Sequence, residues 1–135
     1  MKVPTDYEIL NAIYDRYYKT FAGFSADAPD RAAKIYVPLV IRDIAAGLRV
    51  DGDIVFGRLY YHLEQKYGYK NDDGSSVHFF TLGIGDDRHC VNFPLLGAVL
   101  AGLREDRRKD LWAIWLAVTS LVISIVSIVI SIVRP

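Results

Sequence analysis

Three histidines and one cysteine, His62, His78, His89 and Cys90, are the nitrogen and sulfur side chains of this 135-residue chain best suited to holding a metal. None stands at a ligand spacing such as Cys-x-x-Cys or His-x-x-x-His. His89 and Cys90, adjacent in a β-prone run, would point to opposite faces of a strand. No metal and no cofactor is expected. Gly83-Ile84-Gly85 precedes two acids rather than a helix carrying Lys, so it does not make a phosphate loop. No nucleophile elbow and no carboxylate pairing beyond ordinary solvated charge points to catalysis. The chain reads as a non-enzyme. A single Cys90 excludes an intramolecular disulfide and suits a reducing compartment.

The side chains with the most regular spacing serve contact rather than catalysis. Ala113, Ala117, Ser120, Ser124, Ser127 and Ser131 follow at intervals of 4, 3, 4, 3 and 4. On a helix they fall within a stripe about 80° wide. Apart from Thr119, the positions around them are Leu, Ile, Val or Trp. Small residues on one line let helix backbones approach in lipid, and Ser hydroxyls can bond across the contact for roughly 0.6 to 2 kcal/mol each. The 4-3 spacing predicts a left-handed seam between copies, and hence a homo-oligomer. In a larger ring the same serines could line a polar path, as in a small channel or membrane-permeabilising effector.

These residues sit in Leu111–Val133, a 23-residue run with no charge and no Gly or Pro. As a helix it would be about 35 Å long, enough to cross the roughly 30 Å hydrocarbon layer of a bilayer. A single C-terminal transmembrane helix is therefore expected. Arg104, Arg107, Arg108 and Lys109 stand just before the run and only Arg134 follows it. The positive-inside bias thus places the N-terminal part in the cytoplasm and the C-terminus across the membrane. Arg107, Arg108, Lys109, Trp112 and Trp115 are the expected anchors at the interface. Met1 to Asp15, interrupted by Asp6, Glu8 and Asp15, has no apolar signal-peptide core. With two residues beyond the span, the topology read is tail-anchored.

Residues 1 to 110 carry 15 bases against 16 acids, a net charge of −1, which gives no general pull toward nucleic acid or anionic lipid. Thr5-Asp6-Tyr7-Glu8 reads as a capping box, opening a helix with Leu10, Ile13, Tyr14, Tyr17 and Phe21 on one side and Gly23 as its stop. Ala32 to Val37 fits either a short helix or one brief strand. Pro38 suits the first turn of a second helix, with Ile41, Ile44, Ala45 and Leu48 inward. Asp51 or Asp53 would cap a third, carrying Val55, Leu59 and Leu63 and ending at Gly68. Val77–Leu82 and Arg88–Phe93, either side of a Gly- and Asp-rich turn, signal a hairpin. Pro94 opens a fourth, connecting helix over residues 94–110.

This order, with Asp43-Ile44-Ala45-Ala46-Gly47-Leu48 and Arg58-Leu59-Tyr60-Tyr61-His62-Leu63 as the two helices of a helix-turn-helix, resembles the winged helix-turn-helix superfamily over about residues 38–93. The resemblance implies an α+β fold of three to four helices and a β-hairpin wing, occupying residues 1–93. It implies little about function, since winged helices serve as DNA readers, protein-docking modules and spacers. Phe56, Arg58, Tyr61, His62, Gln65 and Lys66 would form the contact face, with Arg88 and His89 on the wing. Asp51, Asp53, Glu64, Asp86 and Asp87 oppose a basic footprint, and the aromatic residues favour a protein partner. Three roles follow: a protein-interaction module clustered by its membrane helix, a membrane-tethered DNA-binding transcriptional regulator, and an oligomeric channel.

Overall fold

The computed structural model describes residues 2–134. Helices and two small sheets follow in the order α1 (Asp6–Ala22), β1 (Tyr36–Pro38), α2 (Ile41–Leu48), α3 (Gly52–Gly57), a π-helical segment (Arg58–Leu63), α4 (Glu64–Tyr67), β2 (Tyr69–Lys70), β3 (Ser76–Val77), β4 (Phe80–Ile84), β5 (Asp87–Asn92) and α5 (Phe93–Val133). The chain divides between Leu100 and Ala101 into two compact units.

In the first unit, α1 begins where the capping residues place it: Thr5 Oγ1 accepts the Glu8 amide at 3.1 Å. The Glu8 carboxylate pairs with Lys2 at 3.3 Å rather than turning back to Thr5, so only the forward half of the box forms. At the other end Gly23, with an ordinary φ of −80°, donates to the Lys19 carbonyl. The next exposed carbonyls are satisfied by Arg31. Its side chain is 1% exposed. Nη1 donates to Thr20 O (3.1 Å) and Asp30 Oδ1 (2.9 Å), and Nη2 to Phe21 O (3.2 Å) and Lys34 O (2.8 Å). Nε donates to Ala33 O at 3.2 Å, and the guanidinium lies 4.8 Å from the centre of the Phe24 ring. A buried charge needs such saturation of its donors.

The stretch that sequence leaves open between helix and strand is β1. It pairs antiparallel with β5, Tyr36 opposite Asn92 and Val37 opposite Val91. Pro38, expected to open a helix, instead ends this edge strand opposite Cys90, where its missing N–H removes nothing from the ladder. Accordingly α2 starts three residues later, with Val40 at its N-cap and no side-chain cap. The hydroxyl of Tyr17 accepts the Val40 amide at 2.8 Å, and Arg16 pairs with Asp43 at 3.2 Å, so α1 positions the start of α2. Strands β4 and β5 form the expected hairpin, with Ile84 opposite Asp87 across the turn Gly85-Asp86, where Gly85 has φ 58°. The sheet order β1-β5-β4 puts β5 in the middle, and β2 with β3 makes a separate two-stranded ribbon.

The core gathers Ile9, Leu10 and Ile13 of α1, Val37 of β1, Ile44 and Ala45 of α2, Val55 of α3, Leu59 and Leu63 of the π segment, and Phe80 and Val91 of the hairpin. Phe93, Leu96 and Leu100 add the start of α5, whose first turn is capped by Asn92 Oδ1 accepting the Leu95 amide at 3.2 Å.

The second unit is helix. The connecting helix expected over residues 94–110 and the apolar run Leu111–Val133 form one continuous α5 of 41 residues, about 60 Å at 1.5 Å per residue. It is the one helix among the described residues long and apolar enough to cross a membrane, and none of its most apolar window is buried by the rest of the chain. The fold is thus a mixed helix and sheet unit followed by a candidate single membrane span.

Candidate interaction face

The expected face is built on α3, the π segment and α4, which follow one another with right-handed helical backbone at each junction (Arg58 φ −62°, Glu64 φ −61°). Asp51 caps the start, accepting the Asp53 amide at 2.8 Å. Val55, Leu59 and Leu63 are fully buried at a spacing of 4 and 4. In a plain α-helix, residues four apart drift by about 40° per step, so the stripe would slide off its partners. The wider π turn, closed by i→i+5 bonds, reduces that drift and keeps all three on one line.

What remains outside is uneven. Tyr61 is 71% exposed, and with Tyr60, Gln65, Thr81 and Leu82 it lines a groove of about 500 Å³ between the π segment and β4. Beyond it, Gln65, Tyr69, Lys70 and Ser76 line a smaller hollow of about 240 Å³. The wall between them is Glu64, whose Oε2 accepts the Phe80 amide at 2.7 Å while Oε1 lies 3.0 Å from His78 Nδ1. A Cβ at Gly68 would stand 2.5 Å from that Oε1 and 2.7 Å from the Glu64 carbonyl, so glycine is needed there for space.

The six expected contact residues separate into two sets. Tyr61, Gln65 and Lys66 are exposed on this face. Arg58 and Phe56 are half-buried and engaged within the fold, while His62, though exposed, reaches the same partner as Arg58. Arg58 Nη1 donates to Asp6 Oδ1 at 2.7 Å, and His62 Nε2 lies 3.3 Å from Asp6 Oδ2, so one carboxylate in the first turn of α1 holds both. Phe56 stacks on Tyr60 (5.4 Å) and meets Phe80 and His89 edge-on at 5.9 and 5.6 Å. His89 itself has φ 52°, a left-handed residue within β5. Arg88 and Asp86 are exposed at the β4–β5 hairpin, whereas Asp87 Oδ2 accepts the Ala32 amide at 2.8 Å. Asp6, Glu64 and Asp87 act across the fold between residues distant in sequence, and no local spacing signals them.

On α5, Ala113, Ala117, Ser120, Ser124, Ser127 and Ser131 are all exposed. Ser124 Oγ donates to Ser120 O and Ser127 Oγ to Ile123 O, each at 2.9 Å, so in the single chain these hydroxyls bond back to their own turn. Arg107, Arg108, Lys109, Trp112 and Trp115 are exposed as well. Cys90 is buried. Burial, reinforced by the Asp87 carboxylate, pushes its thiol above the usual range and leaves it a poor nucleophile. Among the described residues, no three His, Cys, Asp or Glu side chains converge as a metal site would require.

In comparison with known proteins, no family model, no curated protein and no solved structure matches the chain.

Proposed function

We propose that this is a single-pass membrane protein whose N-terminal unit is a winged-helix docking module for another protein, working without catalysis. The observation that carries the reading is the division of the face. Its aromatic members, Tyr60 and Tyr61, stay exposed beside Leu82, while Arg58 and His62 are drawn to Asp6. Exposed Tyr beside a groove of mixed polar and apolar lining is the composition of a protein interface, whereas a DNA reader needs its cations outward. The winged-helix assignment draws support from the helix, strand, helix, helix, hairpin order and from the sheet order β1-β5-β4. The cationic turns before Leu111 favour a cytoplasmic docking unit with the C-terminus across the membrane. The Ala and Ser line of α5 would associate copies, and such clustering raises the avidity of weakly docking units.

A photoreactive amino acid at position 61 of the full-length protein, in its native membrane, is expected to trap one protein species. Leu82→Ser should lower that yield about ten-fold. Trapping unaffected by Leu82→Ser would overturn the docking face. His62, Gln65, Lys66 and Arg88 are the exposed residues on which the DNA-regulator reading rests. Duplex DNA retained at low salt and released by Lys66→Ala would establish that reading instead. Replacing Ser124 and Ser127 by Leu should abolish crosslinked oligomers; if these persist, the seam is not the association face. Ion leak from liposomes holding the full chain would favour the channel.

A further inference from the structure

Above the apolar part of α5, the basic residues are not equivalent. Lys109 pairs with Glu105 at 3.5 Å, and Arg104 and Arg107 each have a partner. Arg108 has no carboxylate partner among the described residues. It stands at the head of the series Arg108, Trp112, Trp115, Thr119, spaced 4, 3 and 4. At about 100° per residue these four lie within a stripe roughly 60° wide, centred about 130° round the helix from the line of Ala and Ser. Thr119 Oγ1 donates to the Trp115 carbonyl at 2.8 Å, so its hydroxyl is satisfied and its methyl is left to the groove. Together with Leu111 and Leu116 the series lines an apolar groove of about 470 Å³ with one guanidinium at its upper end.

We propose that this face binds one anionic phospholipid: its phosphate on the Arg108 guanidinium, and the first methylenes of its acyl chain against Trp112 and Trp115. The charge pattern selects the occupant. A guanidinium is a bidentate phosphate donor with no competing carboxylate here, and the indoles below it are amphipathic rings suited to the headgroup boundary. The angular separation also fits: a helix that turned its serines to a second copy would turn this face to lipid. The site rests on the reading of α5 as a membrane span, and the test separates the two.

Trp112 and Trp115 are the only tryptophans of the chain, so the emission of the unmodified protein reports on this groove alone. The full-length protein is reconstituted in phosphatidylcholine liposomes doped with brominated phosphatidylglycerol or with brominated phosphatidylcholine. Half-maximal quenching is expected at about a five-fold lower mole fraction of the anionic lipid, the gain from one cation at the surface. Arg108→Gln should bring the ratio close to one, whereas Lys109→Gln, which removes a charge already facing Glu105, should leave it. Equal quenching by both lipids, or a preference that survives Arg108→Gln or falls as far with Lys109→Gln, overturns the site and leaves the span intact. Quenching by neither lipid overturns both.

Discussion

Leu59 and Leu63 of the π segment and Leu121, Ile125 and Ile128 of α5 are similar side chains repeated at helical spacing, yet the first two are fully buried and the other three are 62%, 53% and 59% exposed. In the first unit the apolar stripe is narrow, and the rest of each turn is polar, so α1 and the hairpin can cover it. Over the apolar run of α5 such side chains lie all round the helix, and none of its most apolar window is buried among the described residues. A helix apolar on every side needs an apolar surrounding, which in a membrane is lipid. The same aliphatic chemistry builds a core in one unit and a candidate span in the other.

Substitutions should break this contrast unequally. Arg31→Met is expected to have the largest effect, about 4 kcal/mol of lost stability by denaturant unfolding, because the carbonyls of Thr20, Phe21 and Lys34 lose a buried donor. Leu59→Ala should cost about 3 kcal/mol in the same measurement, and Ile125→Ala should leave unfolding of the first unit unchanged. Ile125→Asp reverses the contrast: membrane insertion should lose about 3 kcal/mol, read as protein recovered in the soluble fraction, while the first unit unfolds as before. Asp6→Ala, which releases both Arg58 and His62, should cost about 1 to 2 kcal/mol and leave the Arg58 cation without its carboxylate. If that variant acquires salt-dependent binding to duplex DNA, the carboxylate is what distinguishes this face from a DNA reader. The smallest effect is in pH. The Cys90 thiol is raised in the fold, so its contribution is complete below the ordinary thiol value of about 8.5 and is lost as pH rises through the folded value. Cys90→Ala should flatten that alkaline loss of stability.

Much of this was legible in sequence where a pattern repeats. Helix α1, the hairpin and the apolar run each extend over enough residues for a period of 3.6, a period of 2 or an absence of charge to show. Strand β1 is three residues long, too short for a period, and Pro38 suits a helix start and a strand edge equally well. The π segment did leave a trace: Val55, Leu59 and Leu63 are spaced 4 and 4, where an α-helical stripe alternates 4 with 3. Arg58 and His62 were legible as residues able to make contacts, but not their partner, because Asp6 lies more than fifty positions away and pairing at that distance depends on the fold.

The π segment also gives the helix a reading frame. It takes up one extra residue between two α-helical stretches, and winding the same residues as plain α-helix would rotate everything downstream by about 100°. Glu64 would then turn away from His78 and the Phe80 amide, and the groove beside β4 would lose its wall. One wide turn thus sets whether the hairpin and the helix share a surface.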